Sequence, residues 1–149
     1  MTTYRFGVRV PLAPGAVEPA ALGVSANAKF VAADINKPVK LAGNNNYIVA
    51  ADGNDLEAVV LTIEPFTVND GFSFGSVQKR FDHLEAIVSG GALAVGAAVV
   101  CAAQSALGTA QNAPIVKAGA GSLFKWRVKS LLAGTGQIGE TILIEPITR

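Results

Sequence analysis

Short strand-like segments recur along most of this chain, and turns rich in glycine, asparagine and aspartate separate them. Asp52-Gly53-Asn54 and Asn44-Asn45-Asn46 are two such turns, since these residues tolerate the φ and ψ angles that tight turns need. Many short strands at this spacing favour a sandwich or barrel. The predicted strands cover residues 39–41, 47–50, 56–63, 73–77, 81–88, 95–102, 115–117, 123–131 and 141–147. We therefore predict an all-β fold, a small antiparallel β-sandwich or barrel, and we find no repeat of 20–50 residues.

The strand pattern is clear in one stretch of the sequence and ambiguous in another. Phe124, Trp126 and Val128 alternate with the cations at 125, 127 and 129, which predicts a half-buried strand with Trp126 in the core. Residues 92–107 are less clear, because abundant alanine favours helix there. Flanking glycines and the adjacent valines 99 and 100 favour a strand, which is the preferred interpretation.

The first part of the chain follows a different pattern. Three prolines interrupt any regular ladder there: Pro11, Pro14 and Pro19. Because proline lacks a backbone N–H and fixes φ, we interpret residues 1–33 as an extended N-terminal arm, with a short helical turn allowed at 19–22. Residues 34–149 are interpreted as the β-sandwich or barrel domain.

The beginning of this arm carries a strand pattern of its own. Apolar side chains at positions 4, 6, 8 and 10 alternate with Arg5, Gly7 and Arg9. An isolated strand cannot satisfy its own backbone groups, so the segment is predicted to pair with a partner's sheet edge. The candidate partner-binding residues are Tyr4, Arg5, Phe6, Val8, Arg9 and Val10. The alternative is that this segment is the first strand of the chain's own barrel.

Charge is unusually sparse in this sequence. Charged residues make up 15% of the chain, hydrophobic residues 50%, and the formal net charge is +1, whereas ordinary domains contain about 25% charged residues. A surface of this kind is expected to be covered by copies of the chain or by a larger assembly. The longest uncharged apolar run is too short for a membrane-spanning helix, the N-terminus lacks a signal-peptide pattern, and no basic run predicts nucleic-acid binding.

No motif in the sequence stands in the context that its chemistry requires. Gly134–Gly139 matches G-x-G-x-x-G, but β-like residues follow it instead of the helix of a dinucleotide site. Asp52-Gly53-Asn54-Asp55 lacks the spacing of a calcium loop and is explained by a turn. His83 and Cys101 are the single histidine and cysteine, and we expect Cys101 to be a buried hydrophobic residue. We predict no enzyme activity, no catalytic or metal site and no cofactor.

The order of segments after about residue 34 resembles the small decoration, or cement, proteins of tailed-bacteriophage capsids. The resemblance rests on residues 36–41, 90–100, 119–121, 126–128, 134–136 and 142–145. It implies a protein that adds to the outside of the phage head and braces its capsomers. The implied partners are the major capsid protein and further copies of the chain, with a trimer favoured over a dimer. The implied location is the outer capsid surface of the virion, after synthesis in the bacterial host cytoplasm.

Two other functions remain open at this stage. One is a tail or baseplate component of a phage, which would also be β-rich and self-associating. The other is a small β-barrel binding module for a sugar or an oligonucleotide, which would need exposed aromatic residues on one face.

Overall fold

The computed structural model describes residues 17–23, 30–64, 73–108 and 113–147. Ten strands in these ranges form two closed five-stranded β-barrels. The first barrel consists of β1 Val17–Leu22, β2 Pro38–Gly43, β3 Asn46–Val49, β4 Ala58–Ile63 and β5 Ser73–Gln78. The second consists of β6 Leu84–Gly90, β7 Ala98–Cys101, β8 Ile115–Ala118, β9 Trp126–Leu131 and β10 Thr141–Pro146. A short 3-10 turn, Ala32–Asp34, is the helical segment of the described ranges.

The predicted all-β fold is confirmed, with two closed barrels instead of one, and a strand lies within or overlaps every predicted strand range. Residues 92–107 form β7 flanked by turns, so the strand interpretation was correct. Two pairings, β1 with β3 and β6 with β8, are parallel rather than antiparallel. The direction of a neighbouring strand cannot be predicted from the alternation within one strand, because that alternation indicates only which face is buried.

The first strand corrects the interpretation of the N-terminal region. Residues 17–22 are β1, paired along their length with β5 and at their end with β3, so they belong to the first barrel and not to an arm. The helical turn allowed at 19–22 is not formed, since Ala20 and Leu22 are buried as alternate residues of this strand. The candidate residues Tyr4–Val10 lie outside the described ranges, and the first barrel closes without them.

The two barrels have the same topology. In chain order within each barrel, the strands are arranged 1-3-2-4-5 around the circumference, and the first and third strands are the parallel pair. Register agrees as well. Val39 pairs with both Val49 and Ala58, and at the matching position Val99 pairs with Ala118 and Trp126.

A β-bulge marks the same place in both barrels. In the first barrel the pairing of β4 with β5 skips residue 61, between Val60 and Thr62. In the second the pairing of β9 with β10 skips residue 129, between Val128 and Ser130. Because bulges are specific structural features rather than random defects, this agreement identifies the barrels as structural repeats.

The repeats share burial rather than amino-acid identity. Core side chains occupy matching positions in the pairs Leu22 and Val88, Val39 and Val99, Val60 and Val128, and Val77 and Ile144. Each repeat is a whole barrel, longer than the periods sought in the sequence, and apolar residues substitute for one another within it. The structural repeat is therefore visible in the strand register but not in the amino-acid sequence.

The bulge of the first barrel predicts a strict requirement for glycine. A Cβ atom on Gly75 would overlap the backbone carbonyl oxygen of Thr62, which cannot move without breaking the ladder. We expect Gly75→Ala to lower the free energy of unfolding by about 1–3 kcal/mol, measured by urea denaturation. Gly43→Ala is the matched control, since its Cβ would meet nothing within 4 Å. Equal stability of the two variants would contradict this explanation.

Candidate functional site

The loop between β3 and β4, residues 50–57, extends from the first barrel to the second. The Gly53 N–H donates to the Cys101 carbonyl at 2.8 Å, and the Cys101 N–H donates to the Asn54 carbonyl at 2.9 Å. The loop thus pairs with the end of β7 as a short strand would. Gly53 adopts φ +82°, which favours glycine, and the predicted turn at Asp52-Gly53-Asn54 is present.

Asp55 fixes the matching loop of the second barrel. Its carboxylate accepts hydrogen bonds from the backbone N–H groups of Ser122, Leu123 and Phe124 at 2.9, 2.8 and 3.1 Å, and from the Ser122 hydroxyl at 3.1 Å. Burial alone would raise the pKa of the Asp55 carboxyl, but these donors together hold the pKa below its usual value. The aspartate considered as a calcium ligand therefore caps three backbone N–H groups.

Apolar contacts complete the junction between the barrels. Ala50, Leu56 and Val59 of the first barrel belong to the same buried cluster as the core of the second. The Trp126 indole N–H donates to the Leu56 carbonyl at 2.9 Å, and the ring lies 5.6 Å from that of Phe81. Trp126 is buried as predicted, and it connects the two barrels as well as filling one.

The other residues singled out in the sequence have structural surroundings. Cys101 is buried, as predicted, and burial raises the pKa of its thiol to about 12. Gly134–Gly139 lies in the connection between the antiparallel strands β9 and β10, and His83 precedes β6. In the part of the chain that the structure describes, no three His, Cys, Asp or Glu residues are grouped as a metal site would need. No helix in that part is long and apolar enough to cross a membrane.

A cleft opens beside the junction and is lined by equivalent segments of both repeats. Residues 56–57 and 79–81 line it from the first barrel, and residues 123–126 and 146–147 from the second. Exposure differs sharply between the two sides. Leu56 is 2% exposed, whereas Phe124, at the matching position, is 42% exposed and its neighbour Leu123 75%.

The opposite end of the second barrel carries a further group of exposed apolar side chains. Val95, Leu132 and Ile138 are 64%, 53% and 60% exposed. They lie in the β6–β7 and β9–β10 connections, which the hydrogen bond from the Leu93 N–H to the Gly136 carbonyl joins at 3.0 Å. We call Val95, Leu132 and Ile138 the apical surface. The second barrel thus exposes apolar side chains at both of its ends.

No protein-family model and no curated protein matches this chain. The fold defines its class, a tandem repeat of closed five-stranded β-barrels joined by a buried junction.

The Asp55 cap predicts a pH-dependent contribution to stability. A carboxyl whose pKa is lowered by folding stabilises the fold above its unfolded pKa of about 3.9, and this contribution is lost as pH falls through the lower folded value. We expect Asp55→Asn to cost about 1–3 kcal/mol at pH 7, and the difference from the original protein to shrink below about pH 4. Urea denaturation across pH measures this. Asp52→Asn, which removes an exposed ion pair to Lys117, is the control and should lose less. A difference that persists unchanged at pH 2 would contradict the role of the Asp55 charge.

Trp126 predicts a graded pair of variants. Trp126→Ala should cost about 3–5 kcal/mol, because it empties a buried site shared by both barrels. Trp126→Phe should cost less, about 1–3 kcal/mol, since it keeps one aromatic ring while it removes the donor to the Leu56 carbonyl and part of the buried volume. Thermal and urea denaturation report both values. A loss below about 1 kcal/mol for Trp126→Ala would be inconsistent with a core position.

Proposed function

We propose that this chain is a structural virion protein, a capsid decoration or cement protein. In this proposal it binds the outer surface of a tailed-phage head and links subunits of the major capsid protein. It is made in the cytoplasm of the bacterial host and acts as a homo-oligomer, with a trimer favoured. The resemblance of residues 34–149 to such proteins supports the proposal from the sequence side.

The observation that carries the proposal is the exposed apolar surface of the second barrel. Its apical side chains lie on two connections that a hydrogen bond joins, and such grouping on a protein with few charges supports a site that a partner covers. The apical surface lies at one end of the barrel, and Leu123 and Phe124 lie toward the other. A protein with apolar surface at two ends can contact two neighbours, which is what linking subunits of a shell requires.

The closed barrels add a mechanical argument. A closed barrel presents little free sheet edge along its wall, so it limits uncontrolled strand pairing, while its ends expose apolar side chains that a partner can bind. The junction gives the chain a second point of rigidity, because Asp55, Leu56 and Trp126 hold the barrels through both polar and apolar contacts. Such a rigid two-barrel unit would resist shear between the subunits to which it binds.

The alternatives have less specific support. A tail or baseplate component would use the same surfaces, and only its binding partner distinguishes it. A sugar- or oligonucleotide-binding barrel needs stacked exposed aromatic rings. Trp126 is buried, and the exposed aromatic side chains of the described ranges, Phe74 and Phe124, lie on different barrels.

Co-sedimentation with heads assembled from the major capsid protein of its own phage tests the proposal. We expect the purified chain to bind at saturable sites, and Leu132→Ser with Ile138→Ser to weaken binding about tenfold or more, the loss of a modest hot spot. Phe74→Ser is the matched control, because it removes a comparably exposed apolar side chain from the first barrel. Failure of the original chain to bind heads would overturn the proposal. Equal losses for both variants would remove the apical surface from it.

A further inference from the structure

Both barrels leave a gap between their second and fourth strands. Only two residue pairs join β2 to β4, and only two join β7 to β9. Beyond these pairs the second strand of each barrel continues without its neighbour. We call this stretch the seam, which is residues 40–43 in the first barrel and residues 100–101 in the second.

Extended main chain fills the seam of the second barrel. The Cys101 N–H donates to the Asn54 carbonyl at 2.9 Å, and the Cys101 carbonyl accepts from the Gly53 N–H at 2.8 Å. Cys101 is completely buried as a result. The structure therefore contains one example of what a seam binds, a short strand that adds at its edge.

In the first barrel, the Glu57 side chain and not a main-chain strand bonds to the matching backbone position. Leu41 matches Cys101, since it pairs with Tyr47 as Cys101 pairs with Val116. The Leu41 N–H donates to the Glu57 carboxylate at 3.3 Å, a long hydrogen bond. Leu41 is 51% exposed. The same backbone position is thus covered in one repeat and open in the other.

We propose that the seam of the first barrel is a strand-addition site, and that residues 4–10 of a second copy of this chain occupy it. The segment has the alternation of a strand and carries two arginines, whereas the seam carries the Glu57 carboxylate. Its apolar side chains would cover Leu41, and Arg5 or Arg9 would meet the Glu57 carboxylate. Main-chain hydrogen bonds would supply affinity, and the alternating side chains would supply specificity.

The choice of a second copy rests on the sequence between this segment and β1. Pro11 and Pro14 interrupt the sequence between this segment and β1, and proline lacks the N–H that a continuous strand into β1 would donate. The sparse charge of the chain also opposes self-association only weakly. The inference concerns contacts between copies and does not depend on binding to a phage head.

Cross-linking between two different chains, each with one added cysteine, tests the inference. A chain with Val8→Cys is mixed with a chain with Leu41→Cys and treated with a short bismaleimide, while Cys101 remains buried in both. We expect covalent heterodimers to form at least tenfold faster than when Val95→Cys, which places an exposed cysteine at the apical surface, replaces Leu41→Cys. Equal rates would overturn the proposal. A single chain carrying both Val8→Cys and Leu41→Cys that links mainly to itself would overturn the assignment to a second copy.

A charge exchange tests the contact with Glu57 by a separate readout. Sedimentation velocity should show dissociation of oligomers for Glu57→Lys and for Arg5→Glu with Arg9→Glu, and recovery when all three changes are combined. Glu64→Lys is the control, since it makes the same charge change at another exposed position of the first barrel. Oligomers that survive Glu57→Lys, or a chain that is monomeric throughout, would contradict the proposal. Circular dichroism confirms that each variant retains its fold.

Discussion

The carboxylate of Asp55 and the loop that carries it hold this molecule together. A domain of about 60 residues buries only about 60% of its unfolded surface and is marginal by itself. Here the loop between β3 and β4 extends the core of the second barrel with Leu56 and Val59, while Asp55 satisfies three backbone N–H groups of the facing loop. Because these groups would otherwise lose their hydrogen bonds where the barrels meet, the polar cap and the apolar contact depend on each other.

The repeats differ in polarity and exposure where they meet. Val59 is buried in the junction, but its counterpart Arg127 is exposed and forms an ion pair with Glu145. Leu56 is likewise buried, whereas Phe124 is exposed. The side contributed by the first barrel is therefore apolar and buried, whereas the matching side of the second barrel carries an ion pair and an exposed aromatic ring.

Alternation and turn chemistry were sufficient to predict nine strand regions and the burial of Trp126 and Cys101, because those features depend on local sequence and on one buried face. The strand β1 was missed, since Pro19 and neighbouring alanines obscure its alternation and only pairing with β5 makes it a strand. The role of Asp55 was missed for a different reason. Its donors lie more than sixty residues away in the sequence, and no local pattern distinguishes a capping aspartate from a turn aspartate.

The open seam follows from the geometry of a small closed barrel. Closing a sheet requires its strands to be staggered, so neighbouring strands overlap only partly and leave backbone groups at the ends without a ladder partner. In the second barrel the β3–β4 loop occupies that gap, and in the first barrel the Glu57 side chain does so less completely. A long open edge would allow repeated strand addition and aggregation. A seam of a few residues limits pairing to one short strand. A chain with few charges can therefore expose this seam without promoting aggregation by repeated strand addition.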